Sequence, residues 1–254
     1  MLVVGAGGVW LLTRATAPKP GLSAADVPAL QVQPAQVSPG AAVPVSLTAA
    51  DPGGQSGGQG ATSQPGSLSQ WAGVVAAATG IPETAVAAYG NAELAMRSQE
   101  PACQISWATL AGIGRIESDH GQFGGAHLQA NGEETRPIIG VPLDGTGGVA
   151  NIPDTDHGAL DGDPTHDRAV GPMQFLPSTW RDYSTADPEN INNAALVAAQ
   201  YLCLGGRDMG SAAGWWDGIL SYNNSVDYAQ KVFGQADSYA REAYKALTGS
   251  SGTH

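Results

Sequence analysis

The sequence predicts a mostly helical α+β domain carried at the end of a disordered tether. Three observations predict it. From residue 68 onward, apolar residues recur at helical spacing in separate runs divided by Gly and Pro. Between Gln122 and Arg168 that periodicity fails, and Gly, Pro and Asp surround one strand-like piece, Pro137-Ile-Ile-Gly-Val-Pro142. Upstream, residues 18–67 are rich in Pro, Gly, Ser, Gln and Ala and nearly free of aromatic side chains. Such a segment cannot bury enough apolar surface to offset its ordering entropy.

Met1–Leu12 is an uncharged apolar run closed by Thr13-Arg14, too short for a membrane span of about 20 residues. It reads as a signal or signal-anchor segment over residues 1–17 whose beginning lies upstream. The linker of residues 18–67 then places the folded domain outside the membrane. That domain is expected over residues 68–247, with a frayed tail at 248–254. Within it, Trp71–Thr79 is a short apolar helix closed by Gly80, and Pro82 opens a second helix reaching Gln99. Ile105–Glu117 is a helix buried on most of its surface, with Gly121 as its left-handed stop. After the irregular insert, which can hold a small hairpin, helices return at 177–183, 192–204, 212–222 and 225–247.

Charge narrows the function. The net charge is -12 with only 11 Lys plus Arg, which argues against nucleic acid and against an anionic membrane surface. The two cysteines, Cys103 and Cys203, are either one disulfide or two buried thiols. Spacing alone does not separate these readings, but a location outside the cell predicts the bond. Two Cys without a nearby His pair predict no zinc site.

One residue stands out chemically. Glu117 ends a buried helix, where desolvation and the negative end of the helix dipole both push a carboxyl pKa upward, towards the range a general acid needs. The competing reading is a surface Glu paired with Arg115. Two further stretches combine amides with aromatic rings: Gly171-Pro-Met-Gln-Phe-Leu-Pro-Ser-Thr-Trp180 and Ser221-Tyr-Asn-Asn-Ser-Val-Asp-Tyr228. Directed hydrogen bonds beside flat apolar surface suit a sugar site. Taken singly, Met173, Phe175, Trp180 and Tyr222 read as core residues, and Gln174 and Asn223 as turn formers. Trp215-Trp216 reads as core. The acidic insert, Asp154 to Asp167, suggests calcium, but its spacing does not match an EF-hand loop, so its side chains are expected to cap their own loop. Asp119, two residues from Glu117, falls off its helical face.

In order along the chain, Gly112-Ile-Gly-Arg-Ile-Glu-Ser-Asp-His-Gly121, Gly171-Pro-Met-Gln-Phe175 and Ser221-Tyr-Asn-Asn-Ser225 resemble the lytic murein transglycosylases. The resemblance is nearest to the actinobacterial branch of the B-type, MltB-like enzymes and spans about Trp71 to Ala240. Pro172 departs from it, standing where many relatives have Ala, and the tether is peculiar to this chain. The resemblance implies a lysozyme-like fold, a peptidoglycan glycan substrate, and Glu117 as acid and then base. It further implies that Gln174, Tyr222 and Asn223 line the sugar site, with Met173, Phe175 and Tyr228 nearby. No metal or cofactor is implied, and a monomer acting at the cell wall, alone or with other cell-wall enzymes, is expected. Two alternatives stay open. One is a muramidase on the same fold, with Asp161 or Asp163 positioning water. The other is a glycan-binding scaffold module without chemistry.

Overall fold

The computed structural model describes residues 32–44, 46–49 and 67–249. The expected signal segment, the rest of the linker and the end of the tail lie outside the described residues. Seven α-helices form the described architecture: α1 (Leu68–Thr79), α2 (Glu83–Gln99), α3 (Trp107–Ser118), α4 (Pro177–Tyr183), α5 (Ile191–Cys203), α6 (Ala212–Tyr222) and α7 (Val226–Thr248). Their starts are chemically marked. Ser67, Ser106, Asn190, Ser211 and Ser225 each accept a backbone N–H of the following first turn.

Helix α3 is the centre. Every residue of it except Arg115 is buried. It packs mainly on α7, and also on α2, which in turn packs on α5 and α1. Glycine allows this closeness. A Cβ on Gly112 would lie 2.8 Å from the Val232 carbonyl of α7, and one on Gly114 would lie 2.0 Å from the Tyr89 hydroxyl of α2. Helix α7 answers with a stripe of Tyr228, Val232, Ala236, Tyr239, Ala240 and Ala243. Trp215 and Trp216 are core residues, packed edge to face at 5.4 Å. Cys103, in a short 3-10 turn before α3, is disulfide-bonded to Cys203, the last residue of α5.

Two expectations change. No residue of the insert lies in a regular strand; isolated bridges join the chain there, Leu128 with Glu134 closing a tight antiparallel turn, and Glu133 with Asn190, Ile139 with Val170, Asp144 with Asn151 and Pro153 with His166 beyond it. Pro137–Pro142 therefore does not fold on itself as a hairpin but pairs with the segment leading into Gly171. Short runs broken by Pro and Gly cannot sustain a ladder.

The linker also departs from expectation. Residues 32–44 and 46–49 lie along the helices as an extended arm. Trp216 Nε1 donates to the Ala41 carbonyl at 3.1 Å, Trp107 Nε1 to Leu47 at 2.8 Å, and Gln230 Nε2 to Val37 at 2.6 Å. Ala49 is buried, and its N–H reaches Glu93 Oε1 at 3.0 Å. Val32, Val37, Ala41 and Val43 pack on the core. The segment has too little apolar surface for a core of its own, yet enough to complete one that already exists.

Candidate active site

Glu117 closes α3. The helix stops one residue after it, at Ser118, because Asp119, His120 and Gly121 are all left-handed, with φ of 53°, 59° and 79°. The stop thus begins two residues before the glycine expected to make it. The N–H groups of Asp119 and His120 return to the carbonyls of Arg115 and Gly114. Arg115 pairs with Asp119, one turn on, and not with Glu117. Ser118 Oγ donates to the Pro172 carbonyl at 2.7 Å and accepts the Gly121 N–H at 2.7 Å, tying this end of α3 to the 171–175 turn.

Glu117 is 3 % exposed. Tyr228, in the first turn of α7, donates its hydroxyl to Oε1, and Oε2 is buried with no donor. Burial raises the Glu117 pKa to about 8, against the lowering effect of the Tyr228 hydrogen bond. The charge of Glu117, added to burial, pushes the hydroxyls of Tyr222 and Tyr228 well above their ordinary range, so both stay protonated donors.

The two amide-bearing stretches come to the same region through the tyrosines. Tyr222, the last residue of α6, donates to the Met173 carbonyl at 2.7 Å. Met173 and Phe175 are buried, and the Phe175 ring lies 5.6 Å from both Trp180 and Tyr222. Gln174 is held left-handed at φ 49° in a loop closed by paired hydrogen bonds between Val170 and Phe175. That loop demands glycine at its start. Gly171 has φ 75°, and a Cβ there would sit 2.1 Å from the Pro188 carbonyl. Gln174 Nε2 donates to the carbonyls of Ile138 and Gly171, leaving Oε1 buried with no donor. Asn223, in the short link between α6 and α7, is 1 % exposed and its Oδ1 likewise has none. Three buried acceptors, on Glu117, Gln174 and Asn223, thus receive no donor from the protein, and each side chain belongs to a segment joined to the others by a tyrosine or serine hydrogen bond.

The acidic insert is otherwise engaged. Asp154 accepts the N–H groups of Asp156, His157 and Gly158, and Asp156 those of Ala159 and Leu160. Asp161 accepts from Asp163 and Arg168, and Asp163 from Thr165 and the Arg168 guanidinium. These side chains cap their own loop. Asp154, Asp156 and Asp167 each offer an oxygen within 4.8 Å of the others'. Asp161, Asp163 and Arg168 line a pocket of about 360 Å³ with Ile139, Gly162 and Pro164.

Sequence reasoning missed two groups beside the site. His120 is buried between Tyr89 and Tyr239, at 3.1 Å and 3.0 Å, and burial lowers its pKa to about 3, so it is neutral. It stood inside the Glu117 motif, but its partners lie 31 and 119 residues away. The second group is the carboxyl pair Glu134 and Glu189. Nothing local marks either residue.

Comparison with known proteins returns no match: no family model fits the chain, and no curated protein or solved structure resembles it significantly.

Proposed function

We propose that this chain is a peptidoglycan lytic transglycosylase of lysozyme-like fold, with Glu117 as its acid and base. The observation that carries the reading is the state of Glu117: a buried carboxyl, neutral below a pKa of about 8, with one oxygen held by Tyr228 and the other without a donor. The order of its three motifs supports the reading, as does the set of unpartnered amide oxygens, which suit a ligand rich in hydroxyl and N–H donors.

The chemistry needs one carboxyl. Glu117, protonated on Oε2, gives its proton to the oxygen of the bond between N-acetylmuramic acid and N-acetylglucosamine. As the C1–O bond breaks, the muramic N-acetyl oxygen bonds to C1 and shares the positive charge. Glu117, now a carboxylate stabilised by the Tyr228 hydroxyl, removes the proton of the sugar's own 6-hydroxyl. That oxygen attacks C1, displaces the N-acetyl oxygen and leaves a 1,6-anhydro end. Proton and electrons balance, no water is consumed, and the reaction calls for no metal or cofactor. Two-carboxylate hydrolysis would instead need a second acid placed to serve water, and Asp161 and Asp163 spend their oxygens on their own loop. The substrate places the enzyme outside the cytoplasm, at the cell wall. No helix among the described residues is long and apolar enough to cross a membrane.

Mass spectrometry of purified peptidoglycan digested with the protein tests this, with Glu117→Gln as control. Products with 1,6-anhydromuramic ends, absent in the control, are expected. Reducing ends, one water heavier, would make it a muramidase; bound but uncut glycan would make it a binding module.

A further inference from the structure

The antiparallel bridge between Glu133 and Asn190 sets Glu134 opposite Glu189, behind the Gln174 turn. Glu134 is 9 % exposed, and a Cβ on Gly121 would meet its Oε1 at 3.0 Å, so it sits against the stop of α3. Both oxygens of Glu134 and Oε1 of Glu189 are buried and receive no protein N–H or hydroxyl. Two charged carboxylates have only acceptors to offer each other. With one proton between them, the O–H of one donates to the other, and the pair is held together. The fourth oxygen, Glu189 Oε2, accepts the Ile138 N–H at 2.9 Å. The Ile138 carbonyl in turn accepts from Gln174 Nε2 at 3.0 Å and from the Gly171 N–H at 3.0 Å.

We propose that Glu134 and Glu189 share a single proton and, through Ile138, act as positioning residues that hold the Gln174 amide in place. Glu189 anchors Ile138 by its N–H, and the Ile138 carbonyl turns the Gln174 amide so that Oε1 is left free. Loss of the shared proton sets two buried anions against each other and releases Ile138. The titratable groups facing Glu134 are Glu189 and Asp187, before α5, and Tyr89 on α2, and none of them offers a compensating positive charge. Burial first, then Glu189 and Asp187, raise the Glu134 pKa from 4.5 to about 10. A carboxyl whose folded pKa is raised keeps its full contribution to stability below its unfolded value and loses it as pH rises through the folded one. The window is therefore pH 4.5 to about 10.

Glu134→Gln tests the latch, because its amide N–H donates to Glu189 at every pH. Melting temperatures of the full chain and this variant are compared from about pH 5 to 9, inside that window. The two are expected to coincide near the acid end, with the unsubstituted protein falling progressively below the variant as pH rises; Glu117 titrates in both and cancels. In parallel, NMR follows the Gln174 side-chain amide, assigned by its loss in Gln174→Met. At the alkaline end its hydrogens should exchange about tenfold faster in Glu134→Ala than in Glu134→Gln. Should Glu134→Gln fail to fold, Glu189→Gln makes the same comparison. Identical pH dependence with and without the amide, or a Gln174 amide indifferent to Glu134→Ala, overturns the proposal. Neither readout depends on what Glu117 acts upon.

Discussion

At the scale of the residue, the molecule keeps a buried acid at a cost. Glu117 has a folded pKa near 8, so its neutral form contributes fully below 4.5 and that contribution is lost as pH rises through about 8. We predict that Glu117→Gln melts several degrees above the unsubstituted protein at about pH 8 and at the same temperature near pH 4.5, as calorimetry across that range will read. Under the proposed mechanism the rate follows the folded carboxyl alone, which must carry its proton, so it should hold up to about pH 8 and drop as pH climbs past it. Tyr228→Phe removes the hydrogen bond that restrains this pKa. Its alkaline limb should move upward while the maximal rate drops about 10- to 100-fold, the size of one hydrogen bond to a charged group. A pH–rate profile of the variant showing an unmoved alkaline limb would separate Tyr228 from the acid. Glu117 itself was legible because a carboxylate in an apolar helix contradicts its surroundings. Gln174 and Asn223 were legible only as amides beside aromatic rings; their burial and unpartnered oxygens come from segments far apart in sequence.

At the scale of the element, the helices and the self-capping of the acidic insert were legible, and the course of the arm was not. Helices α4 and α6, opened by Pro177 and by the Ser211 cap, have the expected bounds, and α3 is displaced by one or two residues at each end. Those signals are local: a serine cap or a glycine stop acts within one turn. The arm of residues 32–44 and 46–49 shows the opposite case. Its composition reads as disordered, yet its carbonyls serve indole N–H groups of Trp107 and Trp216, and the Ala49 N–H serves Glu93. Glu93 Oε2 also accepts the first N–H of α3 at 2.7 Å, so one buried carboxylate fastens arm and central helix together. Deleting residues 32–49 should cost about 2–4 kcal/mol from lost apolar burial and hydrogen bonds. Chemical denaturation measures that loss, and tryptophan emission should shift to the red as both indoles meet water. An unchanged midpoint would mean that the arm merely rests on the surface.

At the scale of the whole molecule, the disulfide joins the turn before α3 to the end of α5 across 100 residues. Cross-linking so long a loop restricts the unfolded chain, and removing such a bond costs about 2–5 kcal/mol. The double variant Cys103→Ser with Cys203→Ser should therefore unfold at lower denaturant while keeping its pH–rate profile, because the bond lies at the start of α3 and Glu117 at its end. A changed profile would show that the bond sets the geometry of the acid as well as the stability of the fold.

The sequence by itself determined the features that depend on near neighbours: the helices, their caps, the glycines of α3, and a carboxylate stranded in apolar surroundings. Only the tertiary structure decided those that depend on distant ones. It seated Tyr228 on Glu117, folded the arm onto the tryptophans and brought Glu134 to Glu189. Periodicity and capping act within a few residues, whereas the burial of a carboxyl, and the partner that shares its proton, are settled by chain segments that meet only when the core closes.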